Sequence, residues 1–172
     1  MSWGKMKNRY LFRKIKKEEI SIMFSMILQR MKWMDEKEIH QWNATKYDEV
    51  YPISYYEMER QKGELFALVD MDTNEIISAA VLKRKDERWR DNLPALYLHH
   101  FVSSINHKHA GEMFLRFAEQ YALDNGQTYL RLDSAEDNHY LEQYYEKHGF
   151  IAVGTCKDGL YNGILRQKKL LQ

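Results

Sequence analysis

Apolar positions recur with a helical period early in the chain and as unbroken runs further on. Ile20, Met23, Phe24, Ile27, Leu28, Met31 and Met34 fall at i, i+3, i+4, i+7, i+8, i+11 and i+14, one face of a helix. Glu18 and Glu19 precede it, where negative charge suits the positive end of the helix dipole. A strand over 10–15 comes before this helix. A shorter helix over 53–61 follows Pro52 and stops at Lys62-Gly63. Residues 65–69 and 76–82 are continuous apolar runs joined by the turn-rich Asp70-Met71-Asp72-Thr73-Asn74, which predicts two buried strands of a hairpin. A third run, 96–102, contains His99 and His100. Beyond a polar loop over 103–109 the helical period returns: Met113, Phe114, Phe117, Ala118, Tyr121 and Ala122 form a buried face ended by Asp124-Asn125-Gly126. A strand over 128–133 follows. The next helix has Leu141, Tyr144 and Tyr145 on its apolar side and ends at Gly149. A strand over 150–154, a turn at Asp158-Gly159 or Asn162-Gly163 and a strand over 163–170 complete the pattern.

The order β-α-α-β-β-β-α-β-α-β-β predicts an α/β protein with a mixed sheet and helices on both faces. At 172 residues the chain has the size of one domain, 1–172. A composition 44% hydrophobic and 30% charged excludes disorder. Lys plus Arg number 26 against 25 Asp plus Glu, so neither an acidic tail nor a polybasic protein is in view. Residues 1–17 carry Lys5, Lys7, Arg9, Arg13, Lys14, Lys16 and Lys17. They read as a solvated strand face and a frayed end rather than a nucleic-acid arm, because the rest of the chain compensates their charge. The single Cys156 excludes an intramolecular disulfide and a multi-cysteine metal site. The most apolar segment, 20–28, is broken by Ser21 and Ser25 and falls short of the ~18 residues a membrane span needs. A reduced, cytoplasmic protein, away from membranes and nucleic acid, is the expectation.

Candidate chemistry lies between residues 96 and 150. A buried strand runs through a short loop into a helix containing Gly111. The unpaired N–H groups of a first helical turn form an anion site, and a glycine there allows close approach. Lys108, His107 and His109 add charge, which suits a pyrophosphate; plain turn chemistry produces the same pattern. His99 and His100 are successive strand residues and are expected on opposite faces. One of them could face a cleft and accept a proton near neutral pH. Asp133, at the end of the next strand, is a further candidate, and a water relay remains open. His107-x-His109 offers two metal ligands, but no nearby cysteine or carboxylate pair completes a set, so no metal is expected. Trp33, Trp42, Tyr47, Tyr51, Tyr55 and Tyr56 pack the first two helices together, wall a site for a cationic amine, or form a dimer contact. No Gly-x-x-x-x-Gly-Lys-Ser/Thr run is present, which excludes a P-loop.

The stretch from 138 to 150 reads Asn-His-Tyr-Leu-Glu-Gln-Tyr-Tyr-Glu-Lys-His-Gly-Phe. Together with the loop before Gly111 it resembles the GNAT superfamily of acyl-CoA N-acyltransferases. That superfamily has an Arg/Gln-x-x-Gly-x-Gly/Ala loop followed by a helix with Asn, Tyr and Gly-Phe. Here Asn106 stands at the Arg/Gln position, His109 at the first Gly, and Gly111 is retained. The resemblance implies a mostly antiparallel, twisted central sheet of about seven strands. It implies acetyl transfer from acetyl-CoA to a primary amine of a small molecule, peptide or protein, by a monomer or homodimer without a metal. The backbone of Phe101 and Val102 would bond the pantetheine arm, and His107, Lys108, His109, Ala110, Gly111 and Glu112 would hold the pyrophosphate. Asn138 would line the same groove and cap its helix. Tyr145 would protonate the departing thiolate and Trp42, Tyr51 and Asp133 would meet the acceptor, while the base is not named: His99, His100, Asp133 or a water relay. The altered loop leaves an alternative, a domain that binds acyl-CoA without transferring the acyl group.

Overall fold

The structure, a computed structural model, describes residues 2–171. Residues 1 and 172, the bounds of the expected domain, lie outside the described residues. Seven strands form one open, mixed sheet: β1 (Tyr10–Lys14), β2 (Leu65–Asp70), β3 (Glu75–Lys83), β4 (Ala95–Ser103), β5 (Tyr129–Ala135), β6 (Ile151–Asp158) and β7 (Tyr161–Lys169). Their spatial order is β1-β2-β3-β4-β5-β7-β6. Every neighbouring pair is antiparallel except β4 with β5. The helices are α1 (Trp3–Arg9), α2 (Ile20–Glu36), α3 (Tyr47–Val50), α4 (Ile53–Gln61), α5 (Ala110–Asp124) and α6 (His139–Lys147).

The unbroken apolar run of β2 is explained by burial at every position. Strand residues alternate in direction, so Phe66 and Leu68 join one core while Leu65 and Ala67 join the other. The first core packs α1, α5 and α6 on one face; the second packs α2, α3 and α4 on the opposite face. Phe114 on α5 is fully buried, and such a side chain contributes about 1.5–3 kcal/mol through burial. None of the described helices is long and apolar enough to cross a membrane.

Three differences from the sequence reading have local causes. Residues 3–9 are a helix, not a frayed end: Ser2 Oγ accepts from Lys5 N–H (3.2 Å), Met6 is buried and Trp3 packs on Phe117 (4.8 Å). Two apolar residues in seven give too little periodicity to reveal such a face. Strand β6 runs to Asp158 because the turn falls at Asp158-Gly159, with Gly159 at φ 57°. The segment between α2 and α4 contains α3 and a one-turn helix at Trp42–Ala44, too short to be read from a period.

The parallel β4–β5 pairing covers only residues 95–97 with 129–131. Beyond Tyr97 the strands separate, although both continue, and a cavity of about 670 Å³ opens along the split.

Candidate functional site

A β-bulge shapes one end of this cavity. Val81 pairs with His99 and Ala79 with Val102, so β4 carries one extra residue, and His100 takes a left-handed backbone at φ 54°. The bulge overturns the expectation that the two histidines face opposite ways. Both line the cavity, with ring centroids 6.0 Å apart. Their surroundings differ. His100 Nδ1 meets the Tyr47 hydroxyl and Nε2 lies 2.9 Å from the Tyr55 hydroxyl, with the Tyr51 ring 4.4 Å away. Burial, then the nearby charges of His99, Lys83 and Arg88, holds its pKa well below the usual range, so the ring is neutral. His99 Nε2 donates to Asp86 Oδ2 (2.7 Å), and Nδ1 has no hydrogen-bond partner among the described residues. Burial opposes the charge on Asp86, but the bonds from His99 and from Arg88 N–H outweigh it and lower its pKa.

Asp86 and Arg88 arrive on the loop between β3 and β4, and no sequence signal marked either. The loop is fixed from below by Arg131, whose side chain is 1% exposed. Its guanidinium donates through both terminal nitrogens to Asp91 (2.8 and 2.8 Å) and lies 4.2 Å from the Trp89 ring. Arg88 donates to Asp133 Oδ1 (3.3 Å) and Asp158 Oδ2 (3.1 Å), and Tyr161 donates its hydroxyl to Asp133 Oδ2 (2.6 Å). Asp86, His99 and Asp133 offer ligand atoms within 4.8 Å of one another, a grouping that sequence reading did not find. Those atoms already serve His99, Arg88 and Tyr161, and the guanidinium of Arg88 repels a metal cation. Trp42 is buried and stacks on Tyr47 (4.6 Å); Tyr51 is half-buried beside Tyr55 (4.9 Å). Trp42, Tyr51 and Asp133 all line the cavity.

The other end lies where β4 meets α5. Phe101 packs on Phe114 (5.3 Å) and Val102 is buried on the opposite face. His109, at the start of α5, takes φ 66°, a conformation glycine adopts more readily. The loop therefore keeps a left-handed turn although its residue is histidine. Its side chain pairs with Glu112 (3.2 Å), and His107 turns to the buried Asp70 (3.5 Å). His107, His109, Ala110, Gly111 and Glu112 line the cavity. Lys108 is exposed and does not line it, so the expected fixed charge of its side chain is not part of the cavity wall. A Cβ on Gly111 would lie 2.8 Å from the Tyr144 hydroxyl and 3.4 Å from Phe101, so no larger residue fits without displacing Tyr144.

Helix α6 closes the cavity between the two ends. Asn138 caps it, accepting from Leu141 N–H (3.1 Å), and donates to Gln41 Oε1 (2.8 Å). It is 3% exposed and lines the cavity. Tyr145 is 5% exposed and edge-on to Phe150 (5.5 Å). Its hydroxyl has no hydrogen-bond partner among the described residues. Burial, then Tyr144 and Asp133, raises the phenol pKa above the usual range and keeps it protonated. The arrangement offers a proton donor and an unspent imidazole nitrogen around one split between strands.

Residues 32–150 match the family model described as Acetyltransferase (GNAT) family. A GNAT-family acetyltransferase from Listeria monocytogenes 4b F2365 is 22% identical with a TM-score of 0.73, over 94% of this chain and 95% of that one. A GNAT-family acetyltransferase from Streptococcus agalactiae 2603 is 17% identical with a TM-score of 0.76, over 95% and 96%. The PaiA N-acetyltransferase from Thermoplasma acidophilum, in complex with coenzyme A, is 18% identical with a TM-score of 0.68, over 93% and 98%. No curated protein matches the sequence.

Proposed function

The chain belongs to the GNAT acetyltransferase family, and from that premise we propose that it transfers an acetyl group from acetyl-CoA directly to a primary amine. The observation that carries the reading is the split between β4 and β5, where the unbonded Tyr145 hydroxyl and the Asp86-held His99 line one cavity. The residues present fit coenzyme A. Beyond Tyr97 the β4 backbone faces the split rather than β5, so Phe101 and Val102 would hold the pantetheine arm as a neighbouring strand would. The first turn of α5, at the close-packed Gly111, would hold the pyrophosphate. When bound, acetyl-CoA supplies an activated thioester carbonyl.

His99 accepts the amine proton at Nδ1 while Asp86 holds the other ring nitrogen and stabilises the imidazolium. Backbone N–H groups of β4 near the bulge polarise the carbonyl. Tyr145 gives its proton to the leaving thiolate. We assign the base to His99 rather than His100, because the Tyr47 and Tyr55 hydroxyls engage both His100 ring nitrogens and burial makes that ring a weaker proton acceptor. Asp133 is excluded because Arg88 and Tyr161 occupy its carboxylate. Burial, then Asp133, pushes the Cys156 thiol up to about 11, so no thiolate is at hand for a covalent acyl route. Trp42, Tyr51 and Asp133 wall the acceptor, a small-molecule or protein amine.

Calorimetric titration with acetyl-CoA, with ATP as control, followed by thiol release over a panel of amines, tests this reading. One-site binding of acetyl-CoA and turnover with at least one amine class are expected. Binding without turnover across the panel supports an acyl-CoA-binding domain instead. No binding overturns the cofactor assignment.

A further inference from the structure

The loop before α5 holds little free positive charge for a phosphate. Asn106 is neutral, Lys108 is exposed and not among the residues lining the cavity, and the rings of His107 and His109 are turned to Asp70 and Glu112. Among the other cations on the cavity wall, Arg88 is held by Asp133 and Asp158, and Lys147 is exposed. Arg30 is different. It stands on α2, half-buried, with its guanidinium 4.7 Å from the Trp33 ring centroid. Only Nη2 is engaged: it donates to the Ser103 carbonyl (2.9 Å) and to Ser103 Oγ (3.2 Å). Among the described residues, Nε and Nη1 have no acceptor and no carboxylate pairs with the charge. A half-buried guanidinium without a counter-ion costs stability, and a purely structural tie to Ser103 leaves most of its donors idle. Burial accordingly lowers its pKa, and the only groups raising it are Tyr140 and Tyr144.

The position of this charge matters. The Ser103 Oγ that Arg30 grips lies 3.6 Å from where a Cβ would stand on Gly111, in the first turn of α5. The unspent guanidinium donors and the unpaired N–H groups of that turn therefore meet the cavity at one place. We propose that Arg30 binds the pyrophosphate of coenzyme A, replacing from α2 a positive charge that the loop itself lacks. A planar guanidinium suits this task because two of its N–H groups can bind one phosphate together. The proposal deepens the acetyl-CoA reading above and rests on it.

The test is calorimetry with three probes on wild type, Arg30→Met and Arg30→Lys. The probes are coenzyme A, dephospho-coenzyme A, which keeps the pyrophosphate but lacks the 3′-phosphate, and pantetheine, which has no phosphate. Arg30→Met keeps an apolar stem against Trp33 and should weaken both nucleotides by about 10- to 100-fold. Pantetheine affinity should not change. Arg30→Lys should recover part of the loss, and it keeps the question open to measurement if the Met variant does not fold. Unchanged affinity for both nucleotides overturns the proposal. So does an equal loss for pantetheine, which would make Arg30 a prop for Ser103. A loss confined to coenzyme A overturns it as well, because the contact would then be with the 3′-phosphate. Wild type that binds none of the three probes defeats the acetyl-CoA reading itself, an outcome distinct from all of these.

Discussion

Replacing Tyr145 with phenylalanine should separate chemistry from stability. The ring is 5% exposed and packs on Phe150 (5.5 Å) and Tyr144 (5.3 Å). Phenylalanine keeps all of that surface. The hydroxyl has no protein partner among the described residues, so its removal breaks no hydrogen bond. Folding stability should therefore change by less than about 0.5 kcal/mol. The effect on turnover should be large. A positioned general acid contributes roughly 10²- to 10⁴-fold, so kcat should fall by about 100-fold or more, some 2.7 kcal/mol of barrier. Acetyl-CoA affinity should hardly move, because a freed thiolate exists only during transfer. The assay follows thiol release with a chromogenic disulfide at saturating acetyl-CoA, beside calorimetry for affinity and urea unfolding for stability. A kcat within a few-fold of wild type refutes the acid role. Parallel losses in kcat and affinity also refute it, because the hydroxyl would then be a binding group. A stability loss above about 1 kcal/mol would mean that the hydroxyl has a native partner and that the reasoning from its isolation is wrong.

Asp86→Asn should lower kcat/KM by tenfold or more, roughly what one charge-assisted hydrogen bond supplies. Steady-state thiol-release kinetics beside urea unfolding check it: a stability loss as large as the loss in kcat/KM would make Asp86 structural only. His100 is held neutral, so between its lowered pKa and 6.5 the unfolded chain binds a proton that the folded chain does not. Stability should thus fall by up to about 1.4 kcal/mol per unit as pH drops below that value. Urea unfolding of His100→Asn, which tolerates the left-handed backbone, should show a shallower slope, and an equal slope would contradict the neutral ring. His109→Val places a β-branched residue at φ 66° and should lower stability by about 1–2 kcal/mol relative to His109→Gly. Thermal unfolding of the two variants gives the difference, and equal melting would remove the strain from the account.

What the sequence revealed followed from periodicity, and what it hid depended on contacts between distant segments. The helical spacing from Ile20 to Met34 and the unbroken runs in β2 and β3 made the strands and major helices legible, although on α2 the predicted face overreached: Leu28 is exposed and the buried Met26 lies outside the pattern. Gly111, Asn138 and Tyr145 were singled out through the resemblance of their loop and helix to the GNAT pattern, and all three line the cavity. Arg30, Asp86, Arg88 and Tyr161 were not legible. Each sits in a stretch with an ordinary local pattern, and each gains its meaning from a partner far along the chain. Arg30 meets Ser103, Asp86 meets His99, and Arg88 and Tyr161 meet Asp133. The anchor that holds the Asp86 loop, Arg131 with Asp91, is equally non-local. A buried arginine inside an apolar strand was the one available sign, because such a residue must have a partner.

The bulge in β4 links these observations physically. A regular strand would send the side chain of one histidine to each face, and only one of them would reach the cavity. One inserted residue instead turns His100 toward Tyr47 and Tyr55, on the side that His99 already faces. The left-handed backbone at His100 carries a cost of about 1–2 kcal/mol, and the surrounding contacts must offset it for the bulge to persist. The two tyrosine hydroxyls supply contacts of that kind. They hold the ring that marks the extra residue, and His99, one step earlier on the same strand, depends on that register to meet Asp86. Deleting either hydroxyl therefore loosens the register of the strand as well as one buried ring. Tyr55→Phe should lower stability and kcat together. A loss of stability with turnover intact would show that the register of His99 is set elsewhere, by Asp86 and its Arg131-anchored loop.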